Sequence, residues 1–228
     1  MGSVLLSPQE ERIEKNKGKV KLFGREQRIY DTIFKETDMK LTTREITFAG
    51  LFAALIAVGA FIKIDIPLPL YTMHFTLQWL FVLLAGFILG KKLGTLSVIT
   101  YILVGLAGVP IFAAGGGIGY VLRPGFGFLL GFVLAAYLIG LYTEKLPSKK
   151  LIYLIIPATI GLIAYYGVGA VYFYLIKNLY VGEAVSFAVV VVQYCLITVL
   201  PDFILCVMAA SLSTQLIPAF KKLVLVSA

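Results

Sequence analysis

This sequence is poor in charged residues. Of its 228 residues only 14% are Asp, Glu, Lys or Arg, whereas 60% are hydrophobic and the mean hydropathy is +0.94. A soluble domain has about a quarter of its residues charged, so this chain has too little polar surface to cover itself in water. Residues 1–45 contain 10 of the 20 basic and 8 of the 12 acidic residues, which leaves the rest of the chain membrane-like. The composition predicts an integral membrane protein.

Residue types that carry catalysis or bind metals are also scarce. His74 is the only histidine, and the two cysteines, Cys195 and Cys206, lie in one apolar segment without metal-ligand spacing. The sequence contains no G-x-x-x-x-G-K-[ST] nucleotide loop, no H-E-x-x-H zinc motif and no G-x-S-x-G elbow. The net charge of +8 is not gathered on one basic face, which excludes nucleic-acid binding. We expect no enzyme, no metal site and no catalytic cofactor.

Ionisable residues are nearly missing inside the apolar segments. Asp202 is the one clear case, whereas proton-coupled transporters usually carry a relay of carboxylates or histidines within the membrane. A self-sufficient secondary transporter is therefore disfavoured, although it stays the alternative from a different functional class. If the protein moves a solute, we expect the energy to come from another protein.

Six apolar stretches have roughly the length that crosses a bilayer as a helix. They comprise residues 46–64, 75–90, 94–112, 126–143, 151–176 and 184–216, the last of which is interrupted by Pro201. Their apolar runs are continuous and do not alternate, which excludes a membrane β-barrel. The sequence predicts an all-α integral membrane protein with six transmembrane helices.

The basic residues of the predicted loops indicate how the bundle is oriented. With the N-terminus inside, the cytoplasmic side carries Lys91, Lys92, Lys145, Lys149, Lys150, Lys221 and Lys222, whereas the other side carries Lys63, Arg123 and Lys177. Cytoplasmic loops are enriched in Lys and Arg, so both termini are expected in the cytoplasm. Residues 1–38 are polar and are interpreted as an N-terminal extension, either not native or a native surface segment, that function does not need. Residues 39–228 form the predicted membrane domain.

The least ordinary segment is rich in glycine. Residues 115–127 contain six glycines, and this pattern is typical either of an outer turn or of a flexible loop that closes over a small molecule. In the second interpretation Gly117, Gly119 and Tyr120 contact the ligand. Arg123 then grips a carboxylate, whereas in the first interpretation it extends to the membrane interface.

Three further residues are candidates for ligand contact. Gln78 and Trp79, at the outer end of the second predicted span, offer an amide and a stacking face, although a tryptophan at this depth is also typical of the interfacial aromatic belt. Asp202 either contacts a ligand, because a carboxylate inside a membrane needs a partner, or caps a helix after a break at Pro201.

Small residues recur along the first predicted span. Ala49, Ala53 and Ala57 lie four residues apart and therefore share one face of a helix. This small-xxx-small pattern allows another helix to approach closely. The sequence leaves open whether that helix belongs to this chain or to a partner.

Three blocks of the sequence resemble the BioY family, the biotin-specific substrate-binding (S) components of energy-coupling-factor (ECF) vitamin transporters. The blocks are Thr76-Leu77-Gln78 through Leu84-Ala85-Gly86, then Gly105-Leu106-Ala107-Gly108-Val109-Pro110-Ile111-Phe112-Ala113 with the glycine run after it, and Gly125-Phe126-Gly127-Phe128-Leu129-Leu130-Gly131-Phe132. The resemblance extends from about Met39 to Leu216.

The resemblance implies a six-helix S-component bundle in a prokaryotic cell membrane that performs no catalysis and binds biotin at its extracytoplasmic end. It also implies docking through small residues of the first helix, here Ala49 and Ala53 with Ala57, onto a membrane coupling (T) subunit. Two ATPase (A) subunits of the same transporter would supply the energy for vitamin uptake.

The sequence departs from the family pattern at several positions. The family's last helix commonly carries Gly-Asp-x-x-Lys, where this chain has Asp202 but Leu205 in place of the lysine, and Met73-His74 stand where Val-Pro is usual. Loss of a cation from a carboxylate site costs about 1–3 kcal/mol. We therefore expect Arg123 to supply the compensating charge, with biotin as the ligand and a related carboxylated cofactor such as lipoate as the alternative.

Overall fold

The computed structural model describes residues 41–68 and 72–225, and these residues are mostly helical. The helices are α1 (Thr43–Phe61), α2 (Gln78–Leu106), α3 (Phe126–Lys145), α4 (Leu151–Leu175), α5 (Phe187–Val191) and α6 (Ile197–Leu225), and the strands are β1 (Lys63–Ile66) and β2 (Met73–Thr76). A 3₁₀ turn spans Ile118–Leu122, and π-helical turns span Ile176–Val181 and Val192–Leu196. The predicted N-terminal extension, residues 1–38, lies outside the described residues.

Five helical segments are long and apolar enough to cross a membrane. They are Thr43–Phe61, Gln78–Leu106, Phe126–Lys145, Leu151–Val181 and Phe187–Phe220. Large apolar side chains such as Leu51, Ile163 and Leu200 are at least half exposed on the outside of these helices. So much exposed apolar surface is typical of a protein covered by lipid. The prediction of a helical, multi-pass membrane protein is confirmed.

Helix α2 folds back on itself at Gly90. The backbone of Gly90 has φ +76° and ψ −175°, which is not helical. Residues 23 positions apart would be separated by roughly 35 Å along one straight helix, yet the Gln78 Nε2 atom lies 2.6 Å from the Tyr101 hydroxyl oxygen. A Cβ atom on Gly94 would lie 2.7 Å from the carbonyl oxygen of Ala85. The two halves of α2 are therefore antiparallel, and the absence of a side chain at Gly94 allows their close contact.

The end of α3 supports this reversal. The backbone N–H of Lys91 donates a hydrogen bond of 2.9 Å to Glu144 Oε1, and the Lys91 ammonium lies 3.8 Å from Glu144 Oε2. A Cβ atom at residue 90 would lie 2.7 Å from the same Oε1. The Glu144 carboxylate thus caps the first turn of the second half of α2, and Gly90 leaves room for it.

Replacing Gly90 with alanine is expected to lower the free energy of unfolding by about 1–3 kcal/mol, because only glycine adopts this backbone conformation without strain. Thermal unfolding in detergent measures the effect. Gly167→Ala is the matched control, since Gly167 lies within α4 with open space around its Cβ position, and alanine favours a helix. Equal destabilisation by both changes would contradict the role assigned to Gly90.

The chain between α1 and α2 forms an antiparallel hairpin, which the all-α prediction missed. Lys63 pairs with Thr76, and Asp65 pairs with His74. Side chains alternate between the faces of a strand, so these four polar residues share one face of the hairpin. The alternation of polar and apolar residues in both strands is the sequence signal for them. At four residues in each strand, the signal is too short to distinguish a hairpin from a loop between spans.

Candidate ligand-binding site

A cavity of about 80 Å³, with room for several water molecules, lies between β2, the loop that follows α2, and helices α3 and α4. Its lining residues are Met73, His74, Thr76, Gln78, Ala113, Tyr120, Gly125, Phe128, Leu129, Phe132, Tyr165, Phe173 and Tyr194. Aromatic rings make up nearly half of this lining, and the polar side chains come from β2 and the start of α2. A mostly apolar wall with a few polar groups on one side is typical of a small-molecule site.

Stacked aromatic rings form one wall of the cavity. The ring of Tyr165 lies 4.9 Å from that of Trp79 and 5.0 Å from that of Phe132, centroid to centroid, and Phe128 meets it edge-on at 5.5 Å. Trp79 is only 1% exposed and lies behind the lining residues. The structure therefore places the predicted stacking face of Trp79 against Tyr165, and Tyr165 presents its own ring to the cavity.

Hydrogen bonds hold the polar edge of the cavity in place. The Gln78 amide donates to the Tyr101 hydroxyl at 2.6 Å and accepts from Thr76 Oγ1 at 3.2 Å. Tyr101 in turn donates to the carbonyl oxygen of Ile111 at 3.2 Å. Gln78 therefore lines the cavity, with its amide held between β2 and the loop that follows α2, and its contact with a ligand stays a prediction.

The glycine-rich loop folds compactly against the end of α2. The N–H of Gly117 donates to the carbonyl oxygen of Gly105 at 2.7 Å, and the ring of Phe112 is buried beneath the loop. Gly117 has φ +91°, so this position requires a glycine for the turn. Tyr120 lines the cavity, whereas Gly117 and Gly119 do not. The structure brings one of the three predicted loop contacts to the site.

Arg123 lies at the rim of the cavity. Its side chain is exposed, and its guanidinium carbon lies 5.1 Å from the centroid of the Tyr120 ring. This geometry is a cation–π contact. Because Tyr120 lines the cavity and Arg123 does not, the cation sits one side chain away from the space a ligand would occupy.

Asp202 is buried behind the cavity wall. It is 3% exposed and accepts a hydrogen bond of 2.5 Å from the Tyr166 hydroxyl, which also lies 3.1 Å from Thr198 Oγ1. Asp202 is not among the lining residues. The helix-cap interpretation is wrong, because α6 continues through Pro201 and residue 202 lies within it. Leu205, where the family commonly has lysine, packs in the main apolar core.

The small-residue stripe of α1 faces inward. Ala49 and Ala53 are buried, at 4% and 8% exposure, and Ala57 is half-buried. In this structure Ala49 and Ala53 are buried, a position that does not favour their assignment to a partner interface, which stays a prediction. The exposed face of α1 carries a second pair of small residues four apart, Gly50 and Ala54.

Several lining residues had no signal in the sequence. Tyr165, Phe173 and Tyr194 are three of 29 tyrosines and phenylalanines in a hydrophobic chain, and only the packing of α4 against α3 and the π-helical turn brings them together. Within residues 41–68 and 72–225, no three His, Cys, Asp or Glu side chains are close enough to hold a metal ion.

Known proteins resemble this chain over most of its length. Residues 34–222 match the BioY family. The chain is 41% identical over 180 residues to the probable biotin transporter BioY of Lysinibacillus sphaericus, an alignment that covers 79% of this chain and 90% of the relative. It is 49% identical over 106 residues to the biotin transporter BioY of Thermotoga maritima, covering 46% and 60% of the two chains.

The fold is also similar to a solved structure. The crystal structure of the S-component for biotin from an ECF-type ABC transporter superposes with a TM-score of 0.67 and 23% sequence identity, covering 77% of this chain and 94% of that one. This match shows a shared fold. The sequence matches show that this chain and the BioY relatives have a common ancestor. The chain is a member of the BioY family.

Proposed function

We propose that this chain is the substrate-binding component of an ECF-type vitamin transporter and that its ligand is biotin. The observation that carries the proposal is the aromatic cavity at one end of a charge-poor helical bundle, in a family whose relatives are named biotin transporters. Biotin combines an apolar thioether ring, a polar ureido ring and an aliphatic chain with a carboxylate. The Tyr165 wall fits the apolar ring, and the edge formed by Thr76 and Gln78 offers hydrogen-bond partners to the ureido group.

The proposed topology has six spans with both termini in the cytoplasm. The reversal at Gly90 divides α2 into two antiparallel halves, which turns the five membrane-capable segments into six spans. The loops at the end of the bundle away from the cavity carry Lys91, Lys92, Lys145, Lys149 and Lys150. Basic loops favour the cytoplasmic side, so the cavity opens to the outside of a prokaryotic plasma membrane.

The transporter needs further subunits. We assign ATP hydrolysis to two ATPase (A) subunits and coupling to a membrane (T) subunit, so the chain itself is not an enzyme. A contact between Asp202 and the ligand, one of the two roles that the sequence predicts for it, requires rearrangement, since the Tyr166 hydroxyl occupies one carboxylate oxygen. In the closed cavity Asp202 acts by holding Tyr166 in position.

Titration calorimetry of the detergent-purified chain tests the ligand. We expect biotin to bind far more tightly than micromolar and lipoate to bind more weakly. Tight binding of lipoate with weak binding of biotin would assign the alternative ligand, and micromolar or weaker binding of both would contradict the proposal.

Replacing Arg123 with alanine is expected to lower the affinity for biotin about tenfold and to leave the affinity for biotin amide unchanged, because the guanidinium pairs with a carboxylate and not with an amide. Calorimetry with both ligands measures the difference. Arg44→Ala, which removes an arginine from the first turn of α1 at the opposite end of the bundle, is the control. An equal loss for acid and amide would remove Arg123 from this role.

A further inference from the structure

A polar bridge crosses the mouth of the cavity. The ammonium group of Lys63 donates a hydrogen bond of 2.8 Å to the carbonyl oxygen of Ala113 and lies 3.3 Å from Asp65 Oδ2. The other carboxylate oxygen of Asp65 accepts a hydrogen bond of 2.6 Å from Nδ1 of His74. His74 and Ala113 both line the cavity. The bridge therefore begins and ends on the cavity wall.

The bridge joins two parts of the chain that are distant in sequence. Lys63, Asp65 and His74 belong to the hairpin, whereas Ala113 belongs to the loop after α2, 50 residues from Lys63. The cross-strand register sets Asp65 directly opposite His74, which places both on the same hairpin face as Lys63. The hairpin thus presents its three ionisable side chains to the bridge, and the loop contributes a backbone carbonyl.

The charges of the bridge support one another. The hydrogen bond from His74, followed by the ammonium of Lys63, holds the pKa of Asp65 below its usual range. A lowered folded pKa means that the ionised carboxylate stabilises the hairpin above the unfolded value and loses this effect as the pH falls through the folded value. The Asp65 carboxylate is therefore ionised, and able to accept from both partners, at neutral pH.

The strength of the bridge is modest. The side chains of Lys63 and Asp65 are 32% and 48% exposed, and exposed ion pairs contribute little because water screens them. Thermal motion breaks such a weak contact often. We therefore expect the contact to affect mainly the rate at which a bound molecule leaves the cavity, and to affect less the contacts between that molecule and the cavity wall.

We infer that Lys63 is a positioning residue that holds the hairpin against the loop that follows α2, and that this bridge sets the rate at which the ligand leaves the cavity. The identity of the ligand rests on the function proposed above, but the bridge itself does not. His74 and Asp65 act through Lys63 by fixing its ammonium beneath the Ala113 carbonyl.

The release rate of radiolabelled biotin from the full chain in nanodiscs, chased with unlabelled biotin, tests the inference. Lys63→Met is expected to release biotin about fivefold faster, with an unchanged thermal unfolding temperature. Lys63→Arg, which keeps the charge, restores slow release. Lys92→Met removes an exposed lysine at the opposite end of the bundle and is expected to release biotin at the original rate.

A second measurement needs no ligand. Spin labels at Ile64→Cys and Ile118→Cys, two exposed positions on the hairpin and the loop, report the distance between the two sides. We expect a narrow distribution of the distance between the two labels in the protein that keeps Lys63, and a broader distribution in Lys63→Met. Unchanged release together with an unchanged distance overturns the inference. If the original chain binds no biotin, the proposed function fails, and the distance measurement decides the bridge alone.

Discussion

Replacing Tyr165 with alanine is expected to lower the free energy of unfolding by about 3–5 kcal/mol, the range for removing a large buried ring. Tyr165 contacts the rings of Trp79, Phe132, Phe128 and Tyr166 at centroid distances between 4.9 and 5.5 Å. With Trp79 and Phe132 it forms a three-ring stack that joins α2, α3 and α4. Because Tyr165 also lines the cavity, biotin affinity should fall by about tenfold or more.

Thermal unfolding and biotin titration of the same preparations measure both effects. Tyr165→Phe keeps the ring and is expected to stay close to the original protein in stability. Tyr137→Ala removes a tyrosine that is 43% exposed on α3 and should change neither quantity much. Similar losses in Tyr137→Ala and Tyr165→Ala would show that the ring stack has no special importance.

A tryptophan at Gly50 or Ala54 is expected to reduce ATP-driven biotin uptake by more than about tenfold while leaving biotin binding unchanged. Both residues lie on the exposed face of α1, and a Cβ atom at Gly50 would meet nothing within 4 Å. Small residues allow two membrane helices to approach closely, and a large ring prevents it. We therefore expect the substitutions to reduce uptake, which requires docking of the coupling subunit, and to leave binding by the isolated chain unchanged.

Uptake by cells that express the transporter with its partners, compared with binding by the purified chain, separates these effects. Ile163→Trp is the control, since Ile163 is exposed on α4, away from α1. Normal uptake with both Gly50→Trp and Ala54→Trp would show that this face of α1 does not dock the coupling subunit.

The contrast between Ala49 and Gly50 shows what the sequence could not reveal. In a soluble protein, polar residues mark the outer face of a helix. Here α1 is apolar on both faces, because lipid covers one and protein the other. The four-residue spacing of Ala49 and Ala53 was therefore visible, but the direction in which it points was not. Burial in the folded bundle assigns the inward face to this pair and the outward face to Gly50 and Ala54.

Long apolar runs and loop breaks were predictable because they are local properties of the chain. The break at Gly90-Lys91 and the helices on either side of it follow from a glycine beside charged residues within an apolar sequence. Gln78 and Tyr120, which stand next to recognisable motifs, line the cavity, and their contact with a ligand stays a prediction. Tyr165 was missed because its role depends on contacts between three helices, which no local pattern records.

Asp202 has one property that the sequence predicts and another that depends on the fold. An aspartate in an apolar segment predicts a buried group with a partner, and the structure provides Tyr166 as that partner. The position of Asp202 behind the lining residues depends on how α6 packs against α4 and could not be predicted. In the structure its carboxylate holds the hydroxyl of Tyr166, whose ring packs against the cavity-lining ring of Tyr165.

Purified chain reconstituted alone into liposomes, with radiolabelled biotin outside and an imposed proton or sodium gradient, tests the central claim most directly. We predict that the liposomes retain biotin only in proportion to the number of chains, and that accumulation begins when the coupling and ATPase subunits are added with ATP. Accumulation of free biotin against its gradient by the chain alone would contradict a binding subunit that depends on partners for energy.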